Sequence, residues 1–331
     1  MSDNRGPVFV VGCPRSGTTL LYHMLLSSGN FALFPLESRT FDILGQRFPN
    51  LLSPKRRARL VEYFVHTQNF TAAGVERSVL ESRTLSECRN IADFLRIVME
   101  EMCRKQGVSR WAEKTPYHVL YITEIKRLIP DALIVHIIRD GRDAALSMSA
   151  FGLDNPYLWE CGGRLLAMAV RWKWMVEKGR SAGREIGRDY YELRYEDLVE
   201  KPRETLAQLG SFIGQELDYD RILEAGVGSV RQPETSFPGK QSKPVGRWKM
   251  QCSATELATI EGAAGDCLEE LGYVLASPPA QRRLGLRVAI GVALDLAQLE
   301  LKHCLKLNTP LGRLAGWGTG GTRIGRPSEA V

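Results

Sequence analysis

Residues 8–25 read VFVVGCPRSGTTLLYHML, and this stretch decides the fold. The apolar run Val8–Val11 predicts a buried strand, and the pattern that begins at Thr18 predicts an amphipathic helix. Between them lies a short loop, residues 12–17, with a glycine at each end. The backbone N–H groups of such a loop and the N-terminus of the next helix converge on one point. The layout therefore predicts a binding site for an anion.

The loop also carries side chains that favour an anion. Arg15 supplies a cation, and Ser16, Thr18 and Thr19 supply three hydroxyls, whereas a turn built only for packing needs neither. The spacing G-x-x-x-x-G-T-T mimics the nucleoside-triphosphate loop G-x-x-x-x-G-K-[ST], but Thr18 stands where that loop has its lysine. We therefore expect these four residues and Gly17 to hold a phosphate-like group other than the β/γ-phosphates of Mg-ATP.

Composition limits the classes of partner. Apolar residues make up 44% of the 331 residues and charged residues 25%, as in an ordinary globular protein. The net charge of +6 suits anionic ligands, but without a basic stripe it does not indicate nucleic acid. Seven cysteines without a C-x-x-C motif predict neither a disulfide framework nor a zinc site. Cys13 is expected to be a small packing residue.

The sequence predicts a cytoplasmic protein. Its first residues lead straight into the first strand, which leaves no room for a secretory signal. No run of eighteen uncharged apolar residues occurs, and the nearest stretch, Leu284–Leu301, contains two acids and an arginine. This stretch is expected to be an amphipathic helix that packs on the domain, with a homodimer contact or peripheral membrane contact as alternatives.

Strand and helix patterns alternate along the chain. The apolar run at 133–138 predicts the clearest further strand, the short segments 111–114 and 190–194 also read as strands, and long amphipathic stretches predict helices between them. Residues 40–107 read as helical throughout, with helix starts at Ser53-Pro54 and at Asn90 with Asp93. The pattern predicts an α/β fold with a central parallel β-sheet flanked by helices and with a helical insertion. Ligands of such sheets bind at the carboxyl ends of the strands.

A second motif, HIIRDGRDAALSM, occupies residues 136–148. Arg139 directly follows the apolar strand, so it is expected at the ligand edge, and Ser147 follows within a helix. One guanidinium and one hydroxyl together form a reasonable phosphate clamp. The alternative is a solvated tangle of the four charged residues at 139, 140, 142 and 143.

With these motifs in place, the chain resembles the sulfotransferases that use 3′-phosphoadenosine 5′-phosphosulfate (PAPS), most of all the tyrosylprotein and bacterial types. The family's 5′-phosphosulfate loop resembles CPRSGTTLL, and its 3′-phosphate motif resembles IIRDGRDAALS. Its Gly-x-Trp-Lys region resembles residues 246–249, and EKTP at 113–116 and RYEDLV at 194–199 also match. The resemblance covers about residues 7–275. It implies a P-loop-like sulfotransferase fold and sulfuryl transfer from PAPS to an acceptor hydroxyl, with no metal required.

The resemblance also implies roles for single residues. Lys114, a compact cation, is expected to stabilise the bridging oxygen of the leaving group together with Arg15. The segment LESRT resembles the one that carries an acidic residue in tyrosylprotein sulfotransferases, so Glu37 is expected to be the general base. His118 and His23 are the rival bases, and His136 is expected to be a core residue.

Two further residues match the family at the cofactor. Tyr195 matches a tyrosine that reaches PAPS. Arg247 lies in a basic loop, residues 231–250, which would close over the 3′-phosphate, with Trp248 as an anchor of the loop. In total, PAPS would be held by two separated sites, residues 15–19 at one end and Arg139 with Ser147 at the other.

The expected organisation is a PAPS-dependent domain at 1–280, with the insertion 40–107 on the acceptor side, and a C-terminal helix with a flexible basic tail at 281–331. The acceptor stays open between a small molecule, a lipid, a glycan and a peptide tyrosine. Two other functions remain: a P-loop nucleotide kinase or NTPase, and a non-catalytic nucleotide-binding protein. The first would place a lysine at position 18 and an acid after the strand 133–138, where the chain has Arg139.

Overall fold

The computed structural model describes residues 6–151, 163–230 and 245–308. Its sheet has four strands, β1 (Val8–Val11), β2 (Ala112–Lys114), β3 (Leu133–Ile138) and β4 (Tyr190–Arg194). They pair in the order β2-β1-β3-β4, and every pair is parallel. Strands covered on both faces are continuously apolar, which is why β1 and β3 were predictable from sequence. The α/β architecture with a central parallel sheet is confirmed.

Helices make up most of the remaining described chain. In chain order they are α1 (Thr18–Ser27), α2 (Gly45–Arg47), α3 (Pro54–Val65), α4 (Gln68–Ala73), α5 (Arg77–Glu87), α6 (Ile91–Gln106), α7 (Ile122–Leu128), α8 (Gly141–Ala150), α9 (Gly163–Ile186), α10 (Tyr195–Glu200), α11 (Pro202–Ile213), α12 (Tyr219–Ala225), α13 (Trp248–Gln251), α14 (Ala254–Glu270) and α15 (Leu286–Asn308). A π-helical turn covers Thr40–Leu44, and 3₁₀ turns cover Pro116–Tyr121, Gly187–Asp189 and Gly228–Val230.

The sheet separates two hydrophobic layers. Alternate residues of a strand point to opposite faces, so Phe9 and Val11 of β1 enter one core cluster and Val8 and Val10 enter the other. The first cluster is completed mainly by α6, α8, α9 and the helices of residues 40–107, and the second by α1, α11 and α12. The sheet is therefore covered on both faces, and the loops that follow its strands lie at its carboxyl end.

Residues 40–107 contain helices and no strand, as the sequence pattern predicted. The start of α6 shows why: the Asn90 side chain accepts from the Asp93 N–H, and the Asp93 carboxylate accepts from the Asn90 N–H. This reciprocal pairing satisfies two N–H groups that a helix start leaves open. At the other end of α6, Gly107 adopts a left-handed φ of 69° and ends the helix.

The C-terminal helix α15 packs along α9. The Trp174 indole N–H donates to one oxygen of Glu300 at 2.9 Å, and the Lys178 ammonium donates to the other at 2.7 Å. Leu299 of α15 is buried against the domain. Within the described ranges, α15 and the other helices are all too short or too polar to cross a bilayer. The tail predicted after residue 308 lies outside the described residues.

Candidate active site

The candidate site lies where all four strands end. The Cα of Lys114, at the end of β2, is paired with that of Val10, shortly before the 12–17 loop. Ile138 at the end of β3 is paired with Arg194 at the end of β4, so Arg139 and Tyr195 follow side by side. Residues far apart in sequence meet here because the strands are parallel and share one carboxyl edge.

The 12–17 loop adopts a conformation that needs glycine. Gly17 has a φ of 95°, and a Cβ on it would lie 2.2 Å from Cδ2 of Tyr195. Its neighbour Arg15 also has a left-handed φ, 69°. Left-handed backbone of this kind occurs in loops that bind anions through their N–H groups. The close packing on Tyr195 confirms that this tyrosine is part of the loop's surroundings.

Ser16 shows that the loop is built for a ligand. Its side chain is fully buried, and its Oγ has no hydrogen-bond partner among the described residues. A buried hydroxyl without a partner is unfavourable unless a ligand or water completes it. The N-cap of α1 is Gly17, which offers no side chain to the first N–H groups of that helix. The loop therefore fits a phosphate-like anion.

The two predicted cofactor sites adjoin. The Arg15 Nε donates to Ser147 Oγ at 3.1 Å, and the Arg139 guanidinium donates to the Arg15 carbonyl at 3.0 Å. Side chains of the two predicted sites therefore touch, because Arg15 extends from the loop to α8; that they hold opposite ends of one cofactor stays a prediction. Arg139 also lies over the Tyr195 ring, 4.7 Å from its centroid. Loop, strand end and helix form one continuous basic surface.

The charged cluster after β3 divides into structural and site residues. Arg142 turns into the core, where it pairs with Asp140 at 2.8 Å and with Glu261 at 2.7 Å. Its guanidinium also stacks on Trp248 at 3.8 Å. Arg139 remains at the strand edge. The solvated tangle that the sequence left open does not form, because Arg142 and Asp140 are both buried.

Glu37 and Lys114 meet although they are distant in sequence. The Lys114 ammonium donates to Glu37 Oε1 at 3.1 Å, and Arg39 lies 3.5 Å from Oε2. The side chain of Lys114 is 7% exposed, whereas that of Glu37 is 30% exposed. Asn69 of α4 fixes the backbone by donating to the Glu37 carbonyl at 2.9 Å. A carboxylate held by a cation and still open to solvent is suited to take a proton.

A buried ionic network lies behind this pair. Glu113, fully buried, accepts from Ser38 Oγ at 2.8 Å, and its other oxygen lies 2.9 Å from His118 Nδ1. His118 Nε2 lies 3.6 Å from Asp42, which in turn pairs with Arg39 at 2.6 Å. Burial opposes the charged imidazolium, but the two carboxylates outweigh it and raise the pKa of His118 to about 9. This buried network thus holds Glu37 in place through its neighbours Ser38 and Arg39.

A comparison with known protein families gives the family of this chain. A sequence model described as "Sulfotransferase family" matches residues 7–219. The chain belongs to the sulfotransferase family. The matched region includes the 12–17 loop, Glu37, Lys114, Arg139 and Tyr195.

Curated relatives are distant. The sulfotransferase is 23% identical over 300 residues to nodulation protein NoeE of Sinorhizobium fredii, which covers 80% of this chain and 65% of the relative. It is 26% identical over 215 residues to a protein-tyrosine sulfotransferase of Drosophila melanogaster, covering 62% of this chain and 37% of the relative. The chain therefore spans about two thirds of one relative's length and little more than a third of the other's.

A solved structure supports the fold. The sulfotransferase domain of the Synechococcus PCC 7002 olefin synthase superposes with a TM-score of 0.52 at 20% identity, covering 83% of this chain and 98% of that domain. The P-loop-like sulfotransferase fold predicted from sequence is thus confirmed. The kinase alternative is not favoured, because the family assignment agrees with a loop that has Thr18 in the lysine position.

Burial and neighbouring side chains distinguish the histidines of the sulfotransferase from its partly exposed base candidate, Glu37. His118 is completely buried between two carboxylates, so an acceptor hydroxyl has no access to it. His136 is buried within β3, where its Nδ1 lies 2.6 Å from the Tyr190 hydroxyl, and burial lowers its pKa to about 3. Half-buried His23 has a pKa lowered first by burial and then by Lys114. Cys13 is buried against Met148, and burial raises its pKa to about 12, which agrees with a packing role.

The start of the Gly-x-Trp-Lys region is anchored to α8. The Gly246 N–H donates to one oxygen of Asp143 at 2.7 Å, and the Trp248 N–H donates to the other at 3.0 Å. The Trp248 indole donates to Asp140 at 3.1 Å. This confirms Trp248 as an anchor and fixes the backbone of Arg247 beside α8. Residues 231–244 of the predicted basic loop lie outside the described residues.

Sequence reasoning missed two residues that support the Glu37–Lys114 pair. Asp42 and Asn69 carry no motif and lie in the 40–107 stretch, which only reads as helical, whereas Arg39 belongs to the LESRT segment and is a partner that the sequence offered for Glu37. The available signal was weak: Arg39 and Asp42 have the i, i+3 spacing of an ion pair. No group of three His, Cys, Asp or Glu side chains within the described ranges is arranged to hold a metal ion.

A cavity of about 640 Å³ lies on the side of the helical insertion. Residues 41–52 and 89–91 form one wall, and α7 and the end of α15 form the other. Phe41 and Phe48 give it an apolar floor, whereas Arg89, Arg127 and Lys306 give it basic groups. A site with apolar walls and a few charges is suited to an organic molecule.

Proposed function

We propose that this protein transfers a sulfuryl group from PAPS to an acceptor hydroxyl, with Glu37 as the general base. The observation that carries the proposal is the Glu37–Lys114 contact of 3.1 Å beside a loop whose buried Ser16 hydroxyl has no partner in the described structure. An anion cradle and a base–cation pair at one sheet edge are the two parts that in-line group transfer needs.

The residues of the loop would hold the donor's 5′ end. Gly17 allows the close backbone approach, and Ser16, Thr18 and Thr19 offer hydroxyls at the N-terminus of α1. When bound, PAPS supplies a sulfuryl group attached to a phosphate leaving group. The Lys114 ammonium and the Arg15 guanidinium are the cations placed to stabilise negative charge there.

The residues after β3 and β4 would hold the 3′ end. A 3′-phosphate carries about −1.5 to −2 charges at neutral pH, so a partly buried basic surface is required for it. Arg139 and Ser147 provide the guanidinium and the hydroxyl, and Arg247 is held nearby through Asp143. Tyr195, packed on Gly17 and under Arg139, would orient the nucleoside.

Glu37 would take the proton of the acceptor hydroxyl. Lys114 and Arg39 orient the carboxylate, and 30% of the Glu37 side chain is exposed to solvent, from which an acceptor arrives. The insertion 40–107 touches the base directly through Asn69, which supports its assignment to the acceptor side. A peptide tyrosine is one candidate acceptor, because one relative is a protein-tyrosine sulfotransferase. A small molecule, lipid or glycan hydroxyl fits the same chemistry.

Calorimetry tests the donor. We expect PAP, the product nucleotide, to bind with or without Mg²⁺, and ATP to bind more weakly. A mass-shift screen with labelled PAPS then identifies an acceptor. Equal or tighter binding of Mg-ATP, or no binding of PAP by folded protein, would overturn the proposal in favour of the kinase alternative.

Substitutions test the base and the cation. With an identified acceptor, we expect Glu37→Gln and Lys114→Ala each to lower kcat about 10²-fold or more. Glu37→Gln should keep PAP affinity, because its role concerns the acceptor. Glu62→Gln, on the exposed face of α3, is the matched control and should leave kcat unchanged. Unchanged turnover in Glu37→Gln would refute its role as base.

A further inference from the structure

The helix α15 is apolar on two sides. Val288, Val292, Leu296 and Leu299 pack on the domain, together with buried Asp295. A second set of apolar residues forms an exposed stripe. At 100° per residue, the side chains of this stripe fall within an arc of about 100°, which makes one continuous face. The stripe comprises Leu286, Ile290, Ala293, Leu294, Ala297, Leu301 and Cys304.

The stripe is large for an exposed surface. Leu286 is 79% exposed, Ile290 52%, Leu294 39% and Leu301 60%. The 23 residues of α15 extend over roughly 35 Å at 1.5 Å per residue, so these side chains are spaced along most of the helix. Large contiguous apolar patches mark interaction surfaces, whereas single exposed leucines do not.

Charge around the stripe identifies the partner. By sequence alone, residues 281–331 contain eight arginines and lysines but three acidic residues. Of the five basic residues that the structure describes, Lys302 and Lys306 lie on the domain side and Arg282 pairs with Glu269, which leaves two beside the stripe. Arg283 and Arg287 are exposed next to the first turn of the stripe. The stripe itself has no carboxylate, since Asp295 is buried and Glu300 is engaged by Lys178 and Trp174.

We propose that α15 lies in the plane of an anionic bilayer surface, with the apolar stripe inserted at the headgroup boundary and the basic residues on lipid phosphates. Helices with an apolar face and a cationic flank bind membranes in this way. A second copy of the chain fits less well, because neither the stripe nor the described residues at its flank offer a free carboxylate to complement the basic residues of that copy. This inference concerns membrane binding and does not depend on the proposed catalysis.

Vesicle co-sedimentation of the full chain tests the proposal. We expect binding to phosphatidylcholine vesicles that contain phosphatidylglycerol, and much weaker binding to phosphatidylcholine alone or in high salt. The combined variant Ile290→Gln, Leu294→Gln, Leu301→Gln should lower the partition coefficient at least tenfold. Leu223→Gln with Val274→Gln, two exposed apolar side chains elsewhere, is the matched control and should bind normally. No binding of the unaltered protein, or equal binding of the stripe variant, overturns the proposal.

A second measurement leaves the leucine and isoleucine side chains of the stripe unchanged. In a Cys161→Ser, Cys252→Ser background, an environment-sensitive fluorophore on exposed Cys304 should shift to shorter wavelength only when anionic vesicles are added. A probe already shielded in dilute protein would mean that another segment of this chain covers the stripe. A shift that follows protein concentration, with a dimer in light scattering, would assign the stripe to a second copy. Either result would overturn membrane docking.

Discussion

Raising the pH should destabilise this protein through one buried histidine. His118 lies between Glu113 at 2.9 Å and Asp42 at 3.6 Å, and all three side chains are buried. The carboxylates raise its pKa from an ordinary 6.5 to about 9 against the opposing effect of burial. Because the folded protein binds this proton more tightly than the unfolded chain, the associated stability is fully present below pH 6.5. It is lost as the pH rises through 9.

The magnitude follows from the pKa difference. A shift from 6.5 to about 9 corresponds to about 3 kcal/mol of unfolding free energy over the whole range. Between pH 7 and pH 8.5 the expected loss is about 2 kcal/mol. This window lies above most of the titration of histidines with lowered pKa, such as His136 and His303. Near pH 8.5 the buried cysteine thiols, whose pKa burial raises, add a smaller loss, because the same thiols ionise in the unfolded chain. Both unaltered protein and a His118 variant contain these thiols, so the difference between the two isolates the histidine contribution.

Urea unfolding at several pH values, followed by tryptophan fluorescence and circular dichroism, measures the effect. His118→Gln should remove most of the pH dependence in this window, although the variant is less stable overall. His66→Gln is the matched control, because His66 is exposed on α3 and should leave the slope unchanged. An imidazole ¹⁵N titration of His118 gives the pKa directly. A pKa below 7, or equal slopes in unaltered protein and His118→Gln, would refute the argument.

Two further substitutions test how the cofactor surface is assembled. Gly17→Ala should lower PAP affinity tenfold or more in calorimetry, because its Cβ would lie 2.2 Å from the Tyr195 ring at a φ of 95°. Gly29→Ala, with a similar φ of 78° but no atom within 4 Å of the new Cβ, should bind PAP normally, and equal affinities would contradict the close-packing explanation. Asp143→Asn should lower PAP affinity several-fold and unfolding free energy by about 1–3 kcal/mol, because an amide cannot accept from both the Gly246 and Trp248 N–H groups. Unchanged affinity and urea midpoint would show that this anchor has no part in binding.

Local sequence predicted the elements that depend on local interactions. The strands β1 and β3 are continuous apolar runs, and α6 begins at a capping box that is readable from Asn90 and Asp93. The capping box of Ser253 and Glu256, equally local in sequence, begins α14. Boundaries were less accurate: the C-terminal helix runs over Leu286–Asn308, whereas the pattern predicted 284–301. Helix ends depend on packing against α9 as well as on propensity.

The candidate site was predictable only as a set of separate motifs. The loop 12–17, Arg139 and Ser147 could be named, but the contact between Arg15 and Ser147 spans 132 residues and has no local signal. The same holds for the network of Glu113, His118 and Asp42, where charged side chains are stable only because each finds its partner inside the fold.

The amino-acid sequence alone determined the parallel sheet, the anion loop and the residue types that a sulfuryl-transfer site requires, because strand burial, glycine turns and helix caps act over a few neighbouring residues. Only the tertiary structure decided that Glu37 meets Lys114, that Arg15 contacts Ser147, and that α15 leaves one apolar stripe exposed while it packs another on the domain. Those outcomes depend on which parallel strands end side by side and on which helix faces find a partner, and neither is encoded within a single segment.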